Sequence, residues 1–231
     1  VVYTLRQDKI SNVDDDASRI VKDQEGTSTT SSLGHTLTLD KRDSRIKPTE
    51  GFMIQFGQEG AGLGGDVHYL KHTLTYTYHW PFWSNLIANA SLKEGYIVGL
   101  GEDVRINDRF FLGGSNLRGF VPGGVGPRDR NTGDSLGGNM FYAATAEVTV
   151  PLNLTKDLDV DGALFADVGA LSDIDDTGSD VLDSGKPRAS IGVGVSYASP
   201  FGPIRIDYAR AVKKESFDET ENFRFSFGAR F

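Results

Sequence analysis

Thr73-Leu74-Thr75-Tyr76-Thr77-Tyr78-His79-Trp80 switches between polar and apolar at every step. Successive side chains of an extended chain point to opposite faces, so this stretch reads as a strand with one apolar and one polar face. The same rhythm returns downstream. Ile191, Val193, Val195 and Tyr197 alternate with Ser190, Gly192, Gly194 and Ser196, and Phe223, Phe225, Phe227, Ala229 and Phe231 alternate with Arg224, Ser226, Gly228 and Arg230. Roughly ten such strands can be read, near residues 1–10, 31–43, 51–59, 66–80, 85–100, 139–151, 158–170, 187–199, 203–213 and 222–231. Each is near the ~9–11 residues that a tilted strand needs to cross a bilayer. Between them, only Ala17 to Gln24 has the makings of a helical turn or two.

The connections broadly alternate in length. Residues 11–30 form a long polar loop, Ser44–Glu50 a short one with Pro48, Gly60–Gly65 a glycine turn and Pro81–Ser84 a tight aromatic one. Residues 101–138 form a very long loop, Leu152–Asp157 a short one, Ser172–Lys186 a long acidic one, Pro200–Gly202 a minimal one and Lys214–Glu221 a moderate one. Long extracellular loops and short periplasmic turns are the habit of outer-membrane barrels. Trp80, Phe82 and Trp83 gather at one short turn, where an interfacial aromatic girdle belongs. The face opposite the apolar one carries Glu147, Asp161, Asp167, Arg205, Asp207, Arg224 and Arg230. An Arg against lipid at mid-depth costs ~2–4 kcal/mol, so this face is expected to line a wet lumen. The competing reading, a secreted sandwich or lipocalin-like barrel with its Phe and Tyr in a core, gives no reason to gather long loops at one end.

Composition narrows the classes further. Hydrophobic residues make up 38% of the 231, and no apolar run approaches the roughly eighteen residues of a spanning helix. A disordered chain would not carry 14 Phe and 8 Tyr. A net charge of −8 argues against nucleic acid, whose phosphates need clustered Lys and Arg. With no cysteine there is neither a disulfide framework nor thiolate chemistry. Val1-Val2-Tyr3-Thr4-Leu5 is already strand-like, without Met or leader, so the chain is expected to be a piece of something longer.

The very long loop holds Phe110-Phe111-Leu112-Gly113-Gly114-Ser115-Asn116-Leu117-Arg118-Gly119-Phe120, followed by Gly126-Pro127-Arg128-Asp129. This resembles the inserted sixth extracellular loop of the BamA (bacterial surface antigen) family, marked by a Val/Ile-Arg-Gly-Phe/Tyr tetrad. Leu117 stands where Val or Ile is usual, and Arg118, Gly119 and Phe120 are intact. Asp40-Lys41-Arg42-Asp43 with Pro48-Thr49-Glu50-Gly51 resembles the family's strand-and-turn signature, and Phe165-Ala166-Asp167-Val168-Gly169 its Phe-x-Asp-x-Gly strand motif. The Phe-rich last strand ending in Phe231 is similar to the targeting signal of outer-membrane barrels.

Physical chemistry gives a separate reason to pair two of these motifs. Alternation places Phe165 and Asp167 on the lumen side, opposite Leu164, Ala166 and Val168. A loop this long and glycine-rich can fold back into the lumen, where the Arg118 guanidinium can meet Asp167 bidentately and pin the loop to the wall. Gly119 and Gly169 would let backbones approach closely. The alternative is a solvated Arg118 in a mobile loop.

The resemblance implies an all-β fold, an antiparallel transmembrane β-barrel of about sixteen strands, of which residues 1–231 supply roughly the last ten. The first strands and the periplasmic polypeptide-binding (POTRA) domains would then be absent. It implies a place in the bacterial outer membrane and a role in folding and inserting other barrels, engaged at a seam between first and last strands. The implied partners are unfolded outer-membrane protein precursors, assembly-complex lipoproteins and the lipid bilayer. Leu117, Arg118, Gly119 and Phe120 would be the loop-six motif, and Phe165, Asp167 and Gly169 its lumenal partner. Phe223, Phe225, Phe227, Gly228 and Phe231 would be the seam and targeting strand, with Gly228 a flexible point. No catalytic residue, cofactor or metal is implied. The second reading is a two-partner secretion transporter of the same superfamily, which shares the tetrad and the strand motif; Gly126-Pro127-Arg128-Asp129 favours the assembly factor. Mitochondrial and plastid relatives are a further possibility. A passive porin would share the rhythm and Phe231 but has no need of Arg118 or Asp167.

Other signals carry less. Asp173-Ile174-Asp175-Asp176-Thr177-Gly178 resembles the start of a calcium loop, but Ser184 stands at the twelfth position where a bidentate Glu is needed, leaving a solvated acidic loop. Gly60, Gly62 and Gly65 match a phosphate-loop spacing with no helix to follow. Among His35, His68, His72 and His79, the pair at 68 and 72 would stand roughly 13 Å apart along a strand, too far for one metal. No nucleophile elbow, zinc-protease helix or paired-carboxylate cleft is present, so an enzyme is not expected.

Overall fold

Ten of the alternating stretches become ten antiparallel strands of one sheet. The computed structural model describes residues 1–83, 85–152, 160–176, 178–199 and 202–228. In chain order the elements are β1 (Val2–Ile10), α1 (Arg19–Asp23), β2 (Gly26–Asp40), β3 (Gly51–Gly65), β4 (Tyr69–Trp83), β5 (Leu86–Gly99), β6 (Arg128–Asp129), β7 (Met140–Pro151), β8 (Val160–Ser172), β9 (Val181–Leu182), β10 (Arg188–Ser199), β11 (Gly202–Lys213) and β12 (Phe223–Phe227). The large sheet runs β1-β2-β3-β4-β5-β7-β8-β10-β11-β12, while β6 and β9 pair separately. Each strand therefore lies beside its sequence neighbour, the meander of an up-and-down barrel. Among the described residues no ladder joins β1 to β12, so the sheet is open and these two strands are its edges.

Register shows why the alternation matters. Leu164, Val193, Tyr208 and Phe223 are successive cross-strand partners on one face, and their exposures are 59, 48, 44 and 71%. Water does not tolerate so broad an apolar band on a monomer, whereas bilayer hydrocarbon requires one. Phe165, Asp167, Ser190 and Asp207, on the opposite face, are all buried. Among the described residues no helix is long and apolar enough to cross a membrane.

The inner face is covered at one end by loops that carry the hydrophobic core. Leu112, Leu117, Phe120 and Val125 of the long loop pack with Ala143 of β7 and Leu171 of β8. Val104 packs with Ala61, Val67, Tyr69 and Ile97, and Leu136 with Ile20 and Ile174. The 101–138 loop is thus a folded plug at that end of the sheet rather than a solvated excursion.

Several boundaries differ from the sequence reading. β2 starts at Gly26, not residue 31, because Ser28, Thr30, Ser31 and Ser32 are buried and paired although their small polar side chains show no alternation. Gly60–Gly65 is not a turn: it prolongs β3, with a register irregularity opposite Thr30 and Ser32, and residues 66–68 make the connection. Pro81–Trp83 extends β4 in the same way. The acidic stretch after Ser172 is not simply solvated. Ile174 is buried, Asp175 accepts hydrogen bonds from the Val104 amide and Asn139 Nδ2, and Asp176 and Asp180 hold Arg19 of α1. The helical turns expected within 17–24 exist as α1, whose first amides are capped by Ser18 Oγ accepting from Val21 N at 3.3 Å. Ser84, most of the 152–157 and 200–202 turns, and Ala229, Arg230 and Phe231 lie outside the described residues.

Candidate functional site: the docked loop and its lumenal wall

The tetrad and the strand motif meet inside the lumen. Leu117 and Phe120 anchor the loop in the plug core, both fully buried. Between them Arg118 points to the wall and is 2% exposed. Its backbone amide donates to Asp167 Oδ2 at 3.1 Å, Nε to the same oxygen at 2.8 Å, and a terminal nitrogen to Oδ1 at 2.7 Å. This is the bidentate fork that a planar guanidinium makes with a carboxylate. The guanidinium carbon also lies 3.3 Å from the centroid of Phe165, so one face of the cation rests on a ring.

Asp167 is not the only carboxylate in reach. The other terminal nitrogen of Arg118 donates to Glu147 Oε2 at 2.7 Å and lies 3.8 Å from Asp207 Oδ1. Arg205 of β11 bonds both oxygens of Glu147, at 2.9 and 2.8 Å, and Asp207 Oδ1 at 2.8 Å. Thr145 Oγ1 adds a bond to Asp167 Oδ1 at 2.8 Å. Two guanidiniums and three carboxylates (2 − 3 = −1) therefore join the loop to β7, β8 and β11. Burying this much charge is tolerable only because each group has several partners.

Glycines make the space. Gly119 has φ +91°, a left-handed conformation, and a Cβ there would sit 3.1 Å from Ser190 Cβ and 3.3 Å from Ala211 N. A Cβ on Gly169 would fall 2.7 Å from Tyr142 O, and one on Gly192 only 2.3 Å from the Phe165 ring. The small residues on the polar side of β10 are thus room for Phe165 beneath Arg118.

Further buried guanidiniums fasten the loops at the plug's end of the sheet. Arg188, at the start of β10, donates through Nε and a terminal nitrogen to Asp218 at 2.9 and 3.0 Å, and both side chains are at most 1% exposed. Arg128 donates to Glu219 at 2.7 Å and to the Gly123 carbonyl at 3.1 Å. Arg109 donates to the carbonyls of Val104 and Leu136, and burial pushes its pKa below the ordinary guanidinium value.

Residues 1–231 as a whole match the Omp85 superfamily domain. The chain belongs to the Omp85 superfamily. It is 38% identical over 231 residues to the outer membrane protein assembly factor BamA of Neorickettsia risticii (strain Illinois), covering 99% of this chain and 31% of that one. The BamA of Nitratidesulfovibrio vulgaris is 27% identical over 229 residues, covering 97% of this chain and 28% of that one. A human sorting and assembly machinery component 50 homolog is 35% identical over 139 residues, covering 59% of this chain and 29% of its own. This Omp85 chain therefore spans about a third of the length of the BamA relatives it matches. The crystal structure of Haemophilus ducreyi BamA lacking POTRA domains 1–3 superposes with a TM-score of 0.77 at 23% identity, over 86% of this chain and 42% of that one. The shared fold is an antiparallel transmembrane barrel, and the Omp85 chain is an outer-membrane protein.

Within the Omp85 sheet, Phe223, Phe225 and Phe227 face outward on β12, and Gly228, which follows it, has φ +105° and donates its amide to Pro203 O at 2.9 Å. They stand on β11's far side and do not join the Arg118 cluster. Phe231 lies outside the described residues. Sequence reasoning placed Glu147, Arg205 and Asp207 on the lumen face but not in the site, and it missed Arg188, Asp218 and Glu219 altogether. Arg205 and Asp207 share a face by alternation, which was a usable signal; nothing local ties Arg188 to a residue 30 positions away.

Proposed function

We propose that residues 1–231 are the carboxy-terminal barrel portion of a factor that folds and inserts β-barrel proteins into the outer membrane. The observation that carries the reading is the match of residues 1–231 to the Omp85 superfamily domain, with a BamA relative 38% identical over the same length; among the described residues β12 pairs with β11, from Ile204↔Phe227 to Tyr208↔Phe223. An edge strand offers unpaired N–H and C=O groups to an incoming strand, and a membrane barrel precursor carries strands that need such partners. Here templating requires no covalent chemistry and no cofactor. Arg118 and Asp167 act by position, keeping the plug loop docked while the edge works. The names of the BamA and component 50 relatives, which describe assembly, support the same reading. The clients are unfolded outer-membrane protein precursors, with assembly-complex lipoproteins as partners at the periplasmic side.

Depletion of the full-length protein in its own cell tests this, followed by heat-modifiability gels of unrelated outer-membrane barrels. Many unrelated barrels should fail to fold while periplasmic proteins persist. Normal folding of those barrels, with one secreted polypeptide trapped in the periplasm, would mean a dedicated secretion channel. Gly228 has a narrower role, giving β12 its bend. A Gly228→Val variant places a β-branched residue at φ +105° and should lose assembly while still reaching the membrane; full assembly by that variant removes Gly228 from the mechanism.

A further inference from the structure

The lipid-facing side of the sheet carries one carboxylate among apolar neighbours. Glu94 of β5 is exposed while Gly95 and Ile97 are buried, so it stands on the outward face. Leu92 lies on one side of it along that face and Tyr96 and Val98 on the other, and its cross-strand partners are Leu74 and Tyr142. The lysines of β4 and β5 are turned inward: Lys71 donates to Asp108 O at 2.8 Å and Lys93 to Asn116 Oδ1 at 3.0 Å. Among the described residues nothing donates a hydrogen bond to the Glu94 carboxylate. A charge facing lipid is costly, which makes an unpartnered one a mark of function.

A donor stands beside it. His72 pairs with Tyr96 on one side and Gln58 on the other, which makes it a diagonal neighbour of Glu94 on the same face. Gln58 Nε2 lies 2.9 Å from His72 Nδ1. An amide nitrogen can only donate, so Nδ1 accepts and the ring carries its proton on Nε2, at the far edge. The ring stacks on Phe56 with centroids 6.4 Å apart. Glu94, His72, Phe56, Tyr96, Met140 and Tyr142 line one groove of about 260 Å³. Its height is that of a membrane interface. Glu94 stands six residues along β5 from Ala88, the partner of Trp80 in the aromatic girdle, or ~20 Å. The apolar band of such barrels is ~25 Å tall, so the groove opens in its upper part, toward the plug.

We propose that this groove binds the headgroup of a phosphatidylethanolamine in the leaflet at the plug's end. The headgroup is a zwitterion, and the groove offers the complementary pair at the spacing of diagonal neighbours on a sheet, ~7–8 Å. Its ammonium donates to the Glu94 carboxylate, a charge-assisted bond in a place where water is scarce. Its phosphate accepts from His72 Nε2–H, with the Tyr96 and Tyr142 hydroxyls beside it. The acyl chains then run down over Leu74 and Leu92 toward Tyr76, with the rest of the apolar face. A choline headgroup has no N–H to give Glu94, and a glycerol headgroup brings no cation. The site is built on β3, β4, β5 and β7 and stands independently of the β12 edge.

Native mass spectrometry of the full-length protein tests the headgroup. The protein is stripped in detergent and offered equimolar phosphatidylethanolamine, phosphatidylcholine and phosphatidylglycerol with identical acyl chains. It should retain phosphatidylethanolamine in preference to the other two. Glu94→Gln should weaken that retention about tenfold, the loss of one charge-assisted hydrogen bond. His72→Phe keeps a ring on Phe56 and removes the donor, and should weaken retention by less. Heat-modifiability checks that each variant is folded. Equal retention of the three lipids, preference for phosphatidylglycerol, or undiminished retention by folded Glu94→Gln overturns the proposal. A photo-crosslinking amino acid in place of Tyr96, used in whole cells, then identifies the occupant. A phosphatidylethanolamine adduct supports the proposal, and capture of a barrel precursor or any other polypeptide there overturns it. If Glu94→Gln fails to fold, the three-lipid comparison and the crosslink in the otherwise native chain decide.

Discussion

Two buried guanidiniums in this molecule sit in opposite kinds of company. Arg118 belongs to a net: Asp167, Glu147 and Asp207 surround it, Arg205 shares two of those carboxylates, and Phe165 lies beneath. Arg188 belongs to a couple, bonded to Asp218 and the Lys186 carbonyl, with the Phe217 ring 5.6 Å away. In the net, losing one acceptor leaves the cation with another. In the couple, losing the acceptor leaves a buried charge with a carbonyl alone. Connectivity, rather than the shortness of any one bond, therefore decides which position tolerates change.

The largest effect is expected where the net loses its centre. Arg118→Ala takes both guanidinium bonds from Asp167 and leaves Glu147 and Asp207 with Arg205, and should cost ~3–5 kcal/mol, moderated by water entering the lumen. Urea unfolding of the full-length protein in lipid vesicles should show the loss, and protease should then cut within 101–138. A resistant loop would mean that Leu117 and Phe120 alone dock the plug.

Next comes the direct comparison. Asp218→Asn should cost about 2–3 kcal/mol and Asp167→Asn about 1–2 kcal/mol, because Glu147 still neutralises Arg118 and no carboxylate replaces Asp218. Equal losses, or the reverse order, would show that the net does not buffer its members. A smaller effect comes from the floor of the net. Gly192→Ala puts a methyl 2.3 Å from the Phe165 ring and should displace it from beneath Arg118. Overpacking of this kind costs ~1–3 kcal/mol, and Gly192→Ala with Phe165→Leu should recover part of it.

What was legible in advance follows the same division. Period-two alternation located all ten long strands, because lipid on one side and a lumen on the other force each residue to choose a face. It failed at Gly26–Ser32 and Gly60–Gly65, where plug loops cover one face and the strand beyond needs no apolar residue on it. The Arg118–Asp167 contact was legible because one partner lay on a strand whose faces could be assigned. Arg188–Asp218 was not: Asp218 lies on an irregular loop, where no period tells a side chain's direction. The β6–β9 ladder, joining loops about 50 residues apart, was invisible for the same reason.

A third carboxylate, at the opposite end of the barrel, sharpens the contrast by using neutral donors. Asp43, in the connection between β2 and β3, accepts from the Thr49 hydroxyl at 2.6 Å, the Thr49 amide at 2.9 Å and the Glu50 amide at 3.1 Å. These bonds, the Thr49 hydroxyl foremost, hold its pKa well below the usual carboxylate range. A depressed carboxylate contributes order that is fully present above its ordinary value near ~4 and is lost as pH falls through the lowered value. The turn should therefore stay ordered through mild acid and loosen only in strong acid. A carbon-13 titration of the Asp43 carboxyl should show the low midpoint, and Thr49→Ala should move it up toward the ordinary value. An unmoved midpoint would assign the depression to the backbone amides. Either way the expected change is the smallest of the four, because Asp43 is exposed and water replaces any donor it loses. Asp218, sealed from water, has no such replacement, and that is why the same chemical deletion should be felt so much more strongly at the top of the barrel than at its base.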